Sequence, residues 1–289
     1  MFFLNSFRIV LLITIGHYLS PDIALNGFHS VAGWLNLIII LSLSIFILNK
    51  FSFFINQSHN LIISRVNISI FNERSLLLPL VILITSSLLT KAFTADFQWL
   101  YPISIGITTF SLIFFNKYLK KIVIIPSYAS IFMGIIIFIV WIYLIPPNQD
   151  LNRDFLDKIQ IAPIGVQLLW LFFRIIGASM IVPIVEELAF RGYLLPNLQN
   201  WFESNVAESI SARFSTNQIH SFSVILSLTI TSILFGLLHS EVLAGCIAGL
   251  GYGLIYLYRR KLIDSICAHS ITNALLVLDV IYFGNWSYW

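Results

Sequence analysis

Charged side chains are scarce in this sequence: they make up 10% of its 289 residues, whereas about 25% is usual in a soluble protein. Hydrophobic residues make up 58% and the mean hydropathy is +0.90, which is more apolar surface than a soluble chain of this length can bury. Alternation of apolar and polar residues with a period of two is also absent, which argues against an outer-membrane barrel. These absences predict an all-α fold, a polytopic transmembrane bundle of about eight or nine helices.

Cysteine is nearly absent too. Cys246 and Cys267 both lie in apolar segments, and two such residues provide neither a disulfide framework nor the spacing of a zinc site. The net charge of +3 does not indicate a nucleic-acid partner, because the basic residues lie at the ends of the apolar segments. No internal repeat is evident.

The apolar runs predict the membrane spans. Their predicted ranges are 5–20, 29–48, 74–93, 98–116, 122–145, 175–195, 222–240, 242–258 and 262–283. Basic residues are concentrated in alternate loops, at Lys50, Arg65 and Arg74, at Lys117, Lys120 and Lys121, and at Arg259, Arg260 and Lys261. Because basic loops tend to stay in the cytoplasm, we expect the N-terminus inside and the C-terminus outside.

Two parts of the chain differ in content: residues 1–160 supply membrane helices of unassigned role, and residues 161–289 hold the polar motifs. We expect Arg174 to reach the outer interface, so that 161–173 form an interfacial helix and the next span starts near 175. Glu186 then lies about 18 Å along that span, near the midplane, with a kink at Pro183. The polar stretch 197–220 is predicted to be a cytoplasmic loop.

Glu186, Glu187 and Arg191 lie inside an apolar stretch, where ionisable groups are costly and indicate function. Glu187 and Arg191 are four residues apart and therefore share a helix face, whereas Glu186 points about 100° away from Glu187. We expect Glu187 to pair with Arg191 and Glu186 to remain free as a general base. The alternative is a buried ion network that only locks helices together.

Two further polar pairs follow, Phe235 with His239 and His269 with Asn273, each four residues apart. His239 together with Glu186 could hold and deprotonate one water molecule. His269 and Asn273 share a helix face and could donate hydrogen bonds to the oxyanion of a tetrahedral intermediate. The alternatives are an interface histidine at 239 and a hydrogen-bonded pair that only binds helices together.

Straight helices would place His239 far from the depth of Glu186. Gly245, Gly249 and Gly253 recur every four residues and create a smooth face that allows close helix packing. A short helix pressed into the bundle would hold His239 deep. This hypothesis requires the Glu186 carboxyl and the His239 ring to lie within about 8 Å, so that one water can bridge them.

Glu186, His239 and His269 are also a candidate set of zinc ligands with one position left open. However, His-x-x-x-His and His-Glu-x-x-His patterns are absent, and the two histidines lie in separate segments. We therefore predict an acid–base mechanism without a cofactor, with zinc as the alternative.

The three motifs together resemble a known family. Glu-Glu-Leu-Ala-Phe-Arg matches EExxxR, Phe235 to His239 matches FxxxH, and His269 to Asn273 matches HxxxN/D. Over roughly residues 175–285 the chain is thus similar to the CPBP family, the CAAX-protease and bacteriocin-processing group of intramembrane proteases, which includes the type II CAAX prenyl endopeptidases.

This resemblance implies a CPBP-type intramembrane protease core over 161–289 with a glutamic-type mechanism. By this resemblance Glu186 is the catalytic base, and His239 helps it to activate water. His269 and Asn273 are the paired donors to the oxyanion. Glu187, Arg191 and Phe235 would be supporting motif residues.

The function that follows is an endopeptidase of a prokaryotic cytoplasmic membrane, with a membrane-associated protein or peptide as substrate. The end of the chain, from Ala268 to Trp289, is more loosely similar to a subgroup found with exosortase-type C-terminal sorting systems, which implies a link to such a system. The alternatives are a proton-coupled transporter, against which the lack of repeats argues, and a non-catalytic immunity or scaffold protein with the same fold.

Overall fold

A computed structural model describes residues 2–18, 21, 73–94, 97–119, 125–210 and 216–289. The helices in these ranges are α1 (Phe2–Tyr18), α2 (Glu73–Ala92), α3 (Tyr101–Leu119), α4 (Tyr128–Leu144), α5 (Gln149–Gln160), α6 (Ile164–Ile176), α7 (Val182–Ala189), α8 (Leu195–Ile210), α9 (Thr216–Gly236), α10 (Val242–Arg259) and α11 (Leu262–Phe283). Two π-helical turns, Gly177–Ile181 and Phe190–Leu194, connect α6, α7 and α8, and a 3₁₀ turn, Trp286–Tyr288, follows α11.

Several of these helices are long and apolar enough to cross a membrane. Four segments meet this description, at Ser75–Ala92, Ile164–Asn205, Val242–Arg259 and Leu262–Phe283. α4 and α5, which meet at 104°, add a fifth if they form one broken span. The all-α polytopic fold is therefore confirmed, while the predicted span at 29–48 lies outside the described residues.

Two predicted boundaries were wrong. The predicted loop at 197–220 is helical over the end of α8 and the start of α9. The interfacial helix expected at 161–173 is not separate, because one helical segment runs without a break over Ile164–Asn205. Polar composition suggested the loop at 197–220, although this stretch contains neither glycine nor proline, the residues that most often interrupt a helix.

Pro183 is the second residue after the first π turn. A proline inside a helix lacks the N–H donor, and its ring clashes with the carbonyl four residues earlier. The helix accommodates this residue just after Gly177–Ile181, where the wider π-helical spacing relieves the regular α-helical ladder. The helical segment continues through Pro183, and the kink at this residue stays a prediction.

The described residues group into two compact units. The first takes in α1, the part of α2 from Val81 and α3 up to Thr108. Inside this unit the buried Ser104 hydroxyl lies 2.9 Å from the hydroxyls of both Ser86 and Ser87. Such hydroxyl pairs join neighbouring helices where apolar side chains provide little preference for one neighbour over another.

The second unit holds all the polar motifs, and α10 lies at its centre. α10 packs against α4, α9 and α11, and α11 packs in turn against α4 and α7. The residues buried at these contacts form one apolar cluster, made of Ile137, Ala189, Phe190, Phe235, Ala248, Tyr252, Ile255 and Ala268. The polar site is therefore built into the best-packed part of this unit.

Glycine allows α9 and α10 to approach closely. A Cβ atom at Gly245 would lie 2.9 Å from the Cα of Gly236, and one at Gly249 would lie 3.1 Å from the Cα of Ser232. A Cβ at Gly253 would collide with Leu228, also on α9. The close-packing face predicted from the four-residue glycine spacing is confirmed.

We expect Gly236→Ala to destabilise the protein, because its Cβ would lie 2.6 Å from the Val242 carbonyl oxygen and 2.8 Å from the Cys246 backbone nitrogen. Backbone cannot move aside as a side-chain tip can, and such overpacking costs about 1–3 kcal/mol. Gly165→Ala is the matched control, since no atom of the described residues lies within 4 Å of its Cβ position. Thermal unfolding of the purified proteins in detergent should show a lower midpoint for Gly236→Ala alone. Equal midpoints would contradict the close packing.

Candidate active site

Five elements of the second unit supply the predicted site residues. Glu186 and Glu187 lie on α7, and Arg191 lies in the following π turn. Phe235 is near the end of α9, and His239 lies in the turn that connects α9 to α10. His269 and Asn273 are one turn apart on α11.

Glu187 and Arg191 form a fully buried ion pair. Arg191 Nη1 donates to Glu187 Oε1 over 2.8 Å, and the two side chains are 1% and 0% exposed. Arg191 Nη2 donates to the backbone carbonyl of Gly249 over 2.5 Å. The pairing predicted from the four-residue spacing is present, and the structure adds an acceptor on α10 that the sequence did not indicate.

The imidazole of His269 lies between the two carboxyl groups. Its Nδ1 is 3.1 Å from Glu187 Oε1, and its Nε2 is 3.9 Å from Glu186 Oε2. A carboxylate oxygen only accepts hydrogen bonds, so Nδ1 donates to Glu187. His269 is thereby oriented with Nε2 toward Glu186, a contact that sequence spacing did not predict.

Glu186 is the least engaged group of the cluster. The residue is 8% exposed, and within the described part of the chain its Oε2 has no hydrogen-bond partner. A buried carboxyl oxygen without a partner is unusual, because desolvation is costly unless a hydrogen bond replaces the lost water. This atom is a position where a bound water or a substrate group could provide the missing hydrogen bond.

His239 is fixed by its own turn. Its Nδ1 lies 2.9 Å from the Phe235 carbonyl oxygen, and since a carbonyl accepts, Nδ1 is the donor. In the neutral ring this leaves Nε2 as an acceptor. The ring lies 4.8 Å from the Phe235 ring and 6.1 Å from that of Trp141. The water shared between His239 and Glu186 stays a prediction.

Asn273 contacts the first π turn. Its Nδ2 donates to the carbonyl oxygen of Ala178 over 2.8 Å. An amide NH₂ has two hydrogens, so one remains for another acceptor. The link ties α11 to the turn that leads into α7. Sequence patterns had no signal for it, because a π turn has no simple sequence signature.

Aromatic rings enclose the charged groups. The Arg191 guanidinium carbon lies 4.7 Å from the centre of the Phe235 ring and 5.7 Å from that of Tyr252. Tyr252 stacks on His269, with ring centres 4.6 Å apart and planes 16° apart. Phe235 was singled out from the sequence, whereas Tyr252 was missed, because nothing in its own helix marks it as a neighbour of His269.

The zinc alternative needs three ligands gathered at one point. Among the residues that the structure describes, no three His, Cys, Asp or Glu side chains are grouped in a way that could hold a metal ion. Glu186 and His269 do approach each other. In a zinc mechanism His239 would be the third ligand of the metal, whereas in the acid–base mechanism it would bind the water molecule.

Comparison with known proteins gives one match. Residues 167–275 match the family model described as type II CAAX prenyl endopeptidase Rce1-like. Neither the curated proteins nor the solved structures contain a match. The matched segment runs from α6 to α11 and includes all three motifs. Residues 167–275 of this integral membrane protein are therefore a type II CAAX prenyl endopeptidase Rce1-like domain, as the resemblance to the CPBP family predicted.

Proposed function

We propose that this chain is an intramembrane endopeptidase in which Glu186 is the general base. The observation that carries the proposal is the position of His269 between two buried carboxyl groups, with Nδ1 3.1 Å from Glu187 Oε1 and Nε2 3.9 Å from Glu186 Oε2. The matched family consists of CAAX-type intramembrane proteases, which supports an enzyme. Its substrate is a membrane-associated protein or peptide.

The charges of the cluster favour this division of roles. Arg191 and Glu187 cancel each other, and Glu186 and His269 are together neutral whether one proton lies on the carboxyl or on the imidazole. Uncompensated charge is strongly disfavoured in a buried site. A single proton can therefore be held by either group of the second pair without leaving net charge in the membrane.

In the reaction a water molecule binds at Glu186 Oε2, with the acceptor nitrogen of His239 as its second partner. Glu186 takes a proton from the water as its oxygen bonds to the carbonyl carbon of the scissile peptide. The carbonyl oxygen becomes the oxyanion of a tetrahedral intermediate. The carbon–nitrogen bond then breaks, the leaving amine takes the proton from Glu186, and a new carboxyl terminus remains.

The oxyanion is stabilised by His269 and Asn273. Because Nδ1 of His269 is engaged with Glu187, its Nε2–H is available only in the imidazolium form. With Glu186 protonated and His269 charged, the four groups carry one net positive charge, which balances the oxyanion. Asn273 contributes the N–H that is left over from its bond to Ala178. Preorganised donors of this kind contribute about 10²–10³ in rate each.

We expect Glu186→Gln to abolish cleavage, because an amide cannot accept the proton from water. The measurement compares protein termini, by mass spectrometry of membrane and secreted fractions, between cells carrying the wild type and cells carrying the variant. Glu203→Gln is the control, since Glu203 pairs with the exposed His220 at 2.7 Å, outside the cluster. A small set of termini absent only in Glu186→Gln establishes the protease and identifies its substrates.

Two outcomes would refute the proposal. Unchanged termini at equal protein abundance favour the transporter or the scaffold function. Retained cleavage in Glu186→Gln would assign the base to another group. A set of termini at C-terminal sorting signals would support the proposed link to an exosortase-type system.

We expect Glu187→Ala and Arg191→Ala each to lower protein yield and thermal stability. Each leaves a buried, uncompensated charge, which costs about 3–5 kcal/mol. Asp154→Ala is the matched control, because Asp154 and Lys158 form a pair of the same spacing with side chains 56% and 34% exposed. Such exposed pairs contribute at most about 1 kcal/mol. Wild-type accumulation of Glu187→Ala and Arg191→Ala would contradict the buried pair.

We expect cleavage to continue without a metal ion. The purified full-length protein is treated with 1,10-phenanthroline, and its zinc content is measured by plasma mass spectrometry. The rate of cleavage is then followed with a peptide that spans a Glu186-dependent terminus, which is a protein terminus absent from cells carrying Glu186→Gln. Unchanged rates with substoichiometric zinc support the acid–base mechanism. Loss of activity that added zinc restores would instead assign Glu186, His239 and His269 as ligands.

A further inference from the structure

Tyr252 is a buried residue of the site to which the proposed reaction assigns no role. It is 1% exposed, and its ring stacks on the His269 imidazole at 4.6 Å with planes only 16° apart. Phe235 closes the arrangement edge-on, with its centre 6.0 Å from that of Tyr252 and 5.6 Å from that of His269. One face of the imidazole is thus covered by Tyr252, and the Phe235 ring approaches at a steep angle.

Glycines flank Tyr252 on α10, and side chains of two neighbouring helices pack against them. A Cβ atom at Gly251 would lie 2.6 Å from Ile137 Cδ1 on α4, and one at Gly253 would collide with Leu228 on α9. The two glycines on either side of Tyr252 therefore let side chains of α4 and α9 pack directly against the α10 backbone. Between them the tyrosine ring stacks on His269 of α11.

The imidazole needs such a support because its two nitrogens have different tasks. The torsion that turns a histidine ring is broad and roughly two-fold. A turn of the ring about this torsion would remove Nδ1 from Glu187 and direct Nε2 away from Glu186. A flat ring stacked on one face resists this rotation, while leaving both nitrogens free along the edge.

The electrostatics also favour a tyrosine here. The charged groups beside the imidazole are Glu186 and Glu187 from α7, and the Arg191 guanidinium carbon lies 5.7 Å from the centre of the Tyr252 ring. The face of a tyrosine ring attracts a cation, so stacking stabilises the imidazolium that the oxyanion requires. A tyrosine ring does this without adding a charge to a buried cluster that is already balanced.

We propose that Tyr252 is a positioning residue for peptide hydrolysis, which holds the His269 ring in the plane where Nδ1 meets Glu187 and Nε2 faces Glu186. This inference rests on the proposed endopeptidase function. The stacking of ring on ring is the essential contact, and the phenol hydroxyl is dispensable for it.

Three variants of the full-length protein in lipid nanodiscs test the inference. Tyr252→Phe keeps the stacked ring, Tyr252→Leu removes it, and Tyr256→Leu makes the same change one turn further along α10. The substrate is the synthetic peptide spanning a Glu186-dependent terminus. For Tyr252→Leu we expect kcat to fall by about 10²-fold, the size of effect that small misplacements cause, with KM within about threefold of the wild type. Tyr252→Phe and Tyr256→Leu should each retain kcat within about threefold.

A second measurement is independent of catalysis. Diethyl pyrocarbonate modifies unprotonated imidazole nitrogens, and mass spectrometry of the peptides locates the modification at His269. We expect faster modification of His269 in Tyr252→Leu than in the wild type, because one face and the ring orientation are released. Tyr252→Phe should match the wild type. If Tyr252→Leu does not accumulate, Tyr252→Met replaces it, since methionine fills a similar space without a ring.

The results separate the two proposals. If no Glu186-dependent terminus exists, the endopeptidase assignment fails. If diethyl pyrocarbonate then also modifies His269 at the same rate in every variant, the proposal that Tyr252 positions the His269 ring is overturned as well. If cleavage occurs, unchanged kcat in Tyr252→Leu overturns the inference. Loss of activity in Tyr252→Phe equal to that in Tyr252→Leu also overturns it, because the hydroxyl and not the stacked ring would then be required.

Discussion

The packing of the second unit depends on one buried guanidinium group, that of Arg191, which is only 1% exposed. Arg191 cannot shed its charge, so the surrounding helices must supply acceptors for it. They do so from two directions, with the Glu187 carboxylate on α7 and the Gly249 carbonyl on α10. Because an unpaired charge there would cost more free energy than most single contacts contribute, this requirement keeps the Gly249 carbonyl of α10 within hydrogen-bond distance of the Glu187–Arg191 pair.

Small residues make that arrangement geometrically possible. The Gly249 carbonyl that accepts from Arg191 belongs to α10, and α10 is pressed onto α9 along its glycine face. α11 crosses α4 in the same manner: a Cβ at Gly134 would lie 2.5 Å from the Ala268 carbonyl oxygen, and Thr272 Oγ1 donates to the Gly134 carbonyl. His269 follows Ala268 directly, so the close crossing sets the position of the imidazole.

Contacts inside one helix could be predicted from the sequence, and contacts between helices mostly could not. The Glu187–Arg191 pair and the close-packing glycine face follow from four-residue spacing, and both are present. Spacing carries no information about which neighbouring helix a side chain meets. The approach of His269 to both carboxyl groups, its stacking on Tyr252 and the anchoring of Asn273 at Ala178 therefore appeared only with the three-dimensional structure.

The two π turns set the rotational register of α7. A π turn accommodates one more residue than the α-helical turn it replaces, and each residue of an α-helix advances the direction of its side chain by about 100°. Loss of a single residue from Gly177–Ile181 would restore a regular helix and rotate Glu186 and Glu187 together relative to α6. Gain or loss of a residue in this short segment thus changes which helix the two carboxylates face, although every motif would remain intact in the sequence. When related chains are compared, the number of residues between Arg174 and Glu186 is for this reason as informative about the direction of the two carboxylates as the motifs themselves.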